Sequence, residues 1–151
     1  MEVEVRGDVE KLRALSRRLK AQGEKGLTKE LRSGISRAAK PLQADVRAGI
    51  PQYLPSGYAP VLQGALRLRT SITQSGVRIT AAGKGKRRPR EVRRMDGGVL
   101  RHPVFGRYRD PWVNQAVRPG FFRAPIQAGA PQVRTQIKQV IDAVATKLAG
   151  G

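Results

Sequence analysis

The chain has 151 residues, no cysteine, one histidine, and 30 lysines and arginines against 11 acids, for a net charge of +19. Disulfides, thiolate metal sites and histidine-pair metal sites are excluded by these counts. So basic a balance calls for a polyanion or an acidic protein surface as partner, and it makes copies of the chain repel one another unless something acidic screens them.

The length is that of one domain, taken as residues 1–151. No run approaches the roughly 18 consecutive apolar residues of a membrane span. The opening MEVEVRGDVEKL has no signal-peptide core. The expectation is a soluble protein, made in a cytoplasm.

Glu2 to Arg6 alternates, with Val3 and Val5 on one side, and reads as a short strand. Asp8 is a plausible N-cap for a helix over Val9 to Gln22, whose Leu12, Leu15 and Leu19 fall at helical spacing. Gly23 to Gly26 breaks it. Leu27, Leu31, Ile35, Ala38, Leu42 and Val46 form a second stripe and predict a helix from about Thr28 to Ala48. Pro41 lies inside it and predicts a kink or two abutting helices. Gly49 to Pro60 is rich in breakers and reads as a loop, and Val61 to Leu68 as a short helix.

Val77 to Ala82 alternates again and predicts a strand. Then comes GKGKRRPREVRR, with Lys84, Lys86, Arg87, Arg88, Arg90, Arg93 and Arg94 against the single acid Glu91. Pro89 forbids an uninterrupted helix through it. A basic loop or arm over about residues 83–98 is expected, connecting two strands. Those strands are Val99 to Phe105 and Trp112 to Val117, expected to pair. Val133, Ile137, Val140, Ile141, Val144 and Leu148 mark a C-terminal amphipathic helix. The order β-α-α-β-β-β-α describes an α+β fold: a small antiparallel sheet with two N-terminal helices and a long C-terminal helix packed on it.

The chemistry of an enzyme is not apparent. The acids show no metal-ligand or acid/base spacing, and no nucleophile elbow or phosphate loop occurs. Gly83-Lys84-Gly85 lacks a Walker spacing. His102 reads as a structural or surface histidine. No catalytic residue, metal or cofactor is expected.

The basic segment has three readings. It is a solvated loop, a phosphate-contacting arm that neutralises DNA without reading its bases, or a docking arm for an acidic protein surface. Aromatics are not interleaved with its charges, as a single-strand stacking platform would require. Trp112, Phe121 and Phe122 read as core residues, with anchoring of a subunit interface as the alternative.

The stretch LRHPVFGRYRDPWVNQAVRPGFFRAPI, residues 100–126, resembles the tail-component family of long-tailed bacteriophages, in its actinobacterial-phage versions. These are head–tail joining, or tail-completion, proteins of the neck. His102, Pro103, Phe105 and Gly106 stand in its first run. Trp112, Pro119, Phe121, Phe122 and Pro125 stand in the second, which leads into the last helix. Ile50-Pro51 is similar to the proline that ends the family's second helix, and Gly64, Leu66, Ser71 and Ile72 to its glycine-leucine-serine-isoleucine signature, at a longer spacing here. The charge at 84–94 is not something the family pattern demands.

The resemblance implies a virion protein of the neck or upper tail, assembled in the host cytoplasm. It implies a homo-oligomeric ring, roughly six-fold or twelve-fold, closed by head-to-tail contacts. The implied neighbours are the head–tail connector, tail-terminator and tail-tube proteins, with duplex DNA passing through the channel and no membrane. Composition alone also admits another class, a free basic nucleic-acid-binding protein of nucleoid or ribosomal type.

Overall fold

A computed structural model describes residues 1–83, 89–103 and 112–150. The elements in chain order are β1 (Glu2–Arg6), α1 (Val9–Ala21), α2 (Lys25–Tyr53), α3 (Ala59–Ala65), β2 (Leu66–Ile72), β3 (Gly76–Gly83), α4 (Pro89–Asp96), β4 (Val99–Pro103), β5 (Trp112–Ala116) and α5 (Arg123–Gly150). The fold is α+β, with two N-terminal helices and a long C-terminal helix against a small antiparallel sheet. That sheet is three-stranded, ordered β1-β3-β2, and β4 and β5 form a separate antiparallel pair.

Local chemistry accounts for the first elements. The Asp8 carboxylate accepts the Lys11 N–H at 3.1 Å and caps α1. The helix ends in a Schellman turn. Gly23, at φ +67°, donates to the Lys20 carbonyl, and Glu24 to that of Leu19. A side chain at Gly23 would oppose that left-handed conformation.

α2 departs most from expectation. It runs as a single element through both Pro41 and Pro51, ending at Tyr53 rather than near Ala48. Both prolines sit on its exposed side, and at Pro41 the carbonyl left without an N–H partner is that of exposed Arg37, within reach of water. At Pro51 the freed carbonyl is that of Arg47, and the Gln63 side-chain amide donates to it at 2.9 Å. The Arg47 guanidinium in turn donates to the Gln63 and Leu66 carbonyls, both at 3.0 Å, at the end of α3. The expected loop over 49–60 is thus shortened, and Pro51 does not end the helix.

β2 is an element absent from the expected order, and its first residues replace the end of a helix expected to reach Leu68. Leu66, Leu68, Thr70 and Ile72 alternate with Arg67, Arg69 and Ser71, a period of two.

α2 and α5 lie antiparallel. Glu30 pairs with Lys147, Gly34 meets Val140, and Gly129 meets Leu42. Glycines at two of these crossings let the helices approach closely. A Cβ at Gly34 would stand 2.5 Å from one Val140 methyl and 3.0 Å from the other. The sheet turns Val5, Leu66, Leu68, Val77, Ile79 and Ala81 onto this helix pair, while α1 adds Leu12, Leu15 and Leu19. Together these make one continuous apolar core. No described helix is long and apolar enough to cross a membrane.

Candidate functional site

The second half of the basic segment is a helix, not a loop. α4 begins at Pro89, where a missing N–H and a fixed φ suit the first helical position. Val92 and Met95, three residues apart, are buried, and Arg93 and Arg94 are exposed. Arg90 lies on the first turn of α4. Lys84, Lys86, Arg87 and Arg88 lie outside the described residues.

Asp96, the last residue of α4, organises the region around it. It is the one buried charged residue among those described. Its Oδ1 accepts the N–H groups of Phe122 at 2.8 Å and Arg123 at 3.1 Å, and its Oδ2 lies 3.4 Å from the Arg123 Nε. Its backbone carbonyl accepts the Gly120 N–H at 2.8 Å. The carboxylate thereby caps α5 from another helix, satisfying N–H groups that the first turn of α5 cannot satisfy itself. α5 starts at Arg123, ten residues before the first residue of its expected stripe, Val133. Sequence reading assigned Asp96 no role, because its partners lie 26 and 27 residues away.

The same junction fixes the β4–β5 pair, as expected for these strands. The Val117 N–H donates to the Gly98 carbonyl at 2.9 Å, at the base of the hairpin. The register pairs Val99 with Ala116, Arg101 with Asn114 and Pro103 with Trp112. Alternation places Val99, Arg101, Trp112, Asn114 and Ala116 on one face, and all five are exposed. Trp112 keeps 56% of its surface in water and Val99 37%. The Arg101 guanidinium lies 5.6 Å from the Trp112 ring centroid, a cation–π pair worth about 0.5–1 kcal/mol at an exposed site. The opposite face holds buried Leu100 and half-buried His102 and Val113. Arg118 stacks over Tyr53 at 4.6 Å, so a further cation flanks the junction.

The sequence-derived site residues therefore separate. Arg93, Arg94 and Trp112 are exposed, the first two on α4 and the third on β5, and Pro119 is exposed. Phe121 and Phe122 are fully buried and are core residues, not interface anchors. The Asp96 bond to the Phe122 backbone fixes the chain where both rings enter the core. Pro125 is half-buried in the first turn of α5, beside Gly49 of α2. Phe105 and Gly106 lie outside the described residues, and Pro103 is placed by its backbone pairing. Trp112, expected in the core, is exposed instead.

Most cations among the described residues take part in no ion pair. The ion pairs found among the described residues are Glu2–Arg78, Glu4–Arg6, Asp96–Arg123 and Glu30–Lys147. Among the described residues no group of three or more acids or histidines is placed to hold a metal ion. What the arrangement offers chemically is adhesion: a basic helix face beside an aromatic–arginine strand face. Comparison with family models, with curated proteins and with solved structures gives no match.

Proposed function

We propose that this chain is a structural subunit of a phage neck, joining the head connector to the tail as one copy of a closed ring. The observation that carries the reading is the motif over residues 100–126 together with the surface it builds. The motif spans β4, β5 and the start of α5; its Phe121 and Phe122 are buried, and one face of its hairpin bears exposed Trp112 and Arg101. A two-stranded hairpin is marginal in water on its own. The exposed Arg101, mid-ladder, and Trp112, in its last pair, are residue types that anchor protein interfaces.

The charge gains a role in that setting. Copies carrying +19 each repel when they close into a ring, so the ring needs an acidic neighbour or DNA against it. If the arm from Lys84 to Arg94 faced the channel, six copies would present roughly forty cations to phosphates, each contact independent of sequence. Phosphate contacts so numerous would slow DNA exit. For at least part of the arm the reading therefore prefers an acidic face on the adjoining ring. The exposed arginines of α4, next to the hairpin, suit that docking.

The test is genetic. A phage lacking the protein is expected to accumulate filled heads and free tails, whereas normal tailed particles from the null mutant would overturn the reading. Replacing Arg87, Arg88, Arg93 and Arg94 by Ser is expected to lower the joined fraction at least tenfold. If joining and DNA retention both survive unchanged, the arm is only a solubilising segment. The rival, a free nucleic-acid-binding protein, is favoured by the net charge alone.

A further inference from the structure

A second surface lies at the other end of the sheet. The β2–β3 register runs from Leu66–Gly83, where the chain enters the basic segment, to Ile72–Val77. Six residue steps separate these ends, about 20 Å of strand. At the far end a groove of about 790 Å³ opens between α1, the first three turns of α2 and the turn after β2. Its base is closed by the core residues Leu12, Leu19, Leu31 and Ile35, each only 1–4% exposed, and half-buried Ile72 with the aliphatic stems of the rim cations supplies its apolar walls. Its rim carries Lys20, Lys25, Lys29 and Arg32 against one acid, Glu24. All four cations are exposed, and none has an ion-pair partner among the described residues.

We propose that this groove is a docking site for an acidic amphipathic helix of a different protein. The chemistry selects that occupant. An apolar floor gives nothing to a phosphate backbone and does suit a stripe of leucine-like side chains. Lys25, Lys29 and Arg32 recur at i, i+4 and i+7 along about 10 Å of α2. That is the spacing at which carboxylates flank the apolar stripe of a helix laid in a groove. A second copy of this chain is a poor occupant. It brings +19 of its own, and Glu2, Glu4, Glu30 and Asp96 are already paired internally. The inference does not rest on the neck reading. Should that reading hold, the groove is a second attachment point, at the end of the sheet away from the α4 surface.

The test uses the full chain and a labelled synthetic peptide of about 16 residues, with leucines at i, i+3, i+4 and i+7 and glutamates flanking them. Fluorescence polarisation in physiological salt is expected to show saturable binding. Scrambling the peptide at constant composition is expected to weaken it at least tenfold, and so is the charge-reversed variant K25E/K29E/R32E. Ser33→Trp, which fills the groove from an exposed position without changing charge, is expected to do the same. The off-site control R67E/R69E/K138E, exposed cations away from the groove and from α4 with the same charge change, is expected to lose less than threefold. Circular dichroism confirms that each variant is folded. The proposal is overturned if the scrambled peptide binds equally well, if Ser33→Trp has no effect, or if the off-site control loses as much as the rim variant. It is likewise overturned if a 20-base-pair duplex displaces the peptide and loses as much affinity to the rim variant.

Discussion

Asp96 is the residue on which the fold depends most visibly. Its side chain is only 4% exposed and is held by two backbone N–H groups and one guanidinium. Asp96→Ala leaves two N–H groups of the α5 start without an acceptor and removes the Arg123 partner. The expected loss is about 2–4 kcal/mol in urea unfolding. A loss under about 0.5 kcal/mol, the range of neutral surface changes, would contradict the capping role. Arg47 carries a smaller share, since it serves two carbonyls at the end of α3. Arg47→Met is expected to cost about 1–3 kcal/mol by the same measurement. Neither residue could be singled out in sequence. Each is one charged residue among many, and what distinguishes it is a set of distant partners. Asp8, whose partner is three residues away, was legible for the opposite reason.

Among the elements, those with long apolar stripes or a local cap were readable: β1, α1, the middle of α2, β3 and the body of α5. The misreadings follow from tertiary compensation. Pro51 ought to stop α2, and does not, because Gln63 supplies a donor to the carbonyl that the proline leaves bare. β2 was legible in the alternation of Leu66-Arg67-Leu68-Arg69, but the apolar residues just before it pulled the reading toward a helix. In the basic segment Pro89 forbids a continuous helix, yet it also fits a helix start. The α2–α5 crossing gives a prediction at this scale. Gly34→Ala gains up to about 1 kcal/mol of helix propensity. It must also displace Val140, whose two methyls block the new Cβ and whose rotamer is stiff. A net loss of about 1–3 kcal/mol is expected from the overpacking, read as a lowered melting temperature. A rise in melting temperature would show that the helices have room to separate.

At the scale of the whole molecule, charge was the plainest signal in the sequence, and its placement was the least legible. Composition gave the +19. Only the fold places part of it on an α4–hairpin surface at one end of the sheet and part on the rim of a groove at the other. Trp112 illustrates the difficulty: in sequence it is an aromatic in a strand, and exposure decides between core and contact. A subunit meant to lie against protein should hold DNA only through general electrostatics. In physiological salt its duplex affinity is expected to be no tighter than about 10⁻⁶ M, the limit of ordinary non-specific binding. Nanomolar affinity would favour the nucleoid-type rival. The most direct measurement is where the protein ends up. Immunogold electron microscopy on infected cells and purified particles is predicted to place label at the junction of head and tail. Particles without label, with the label on host chromosomes instead, would contradict the account.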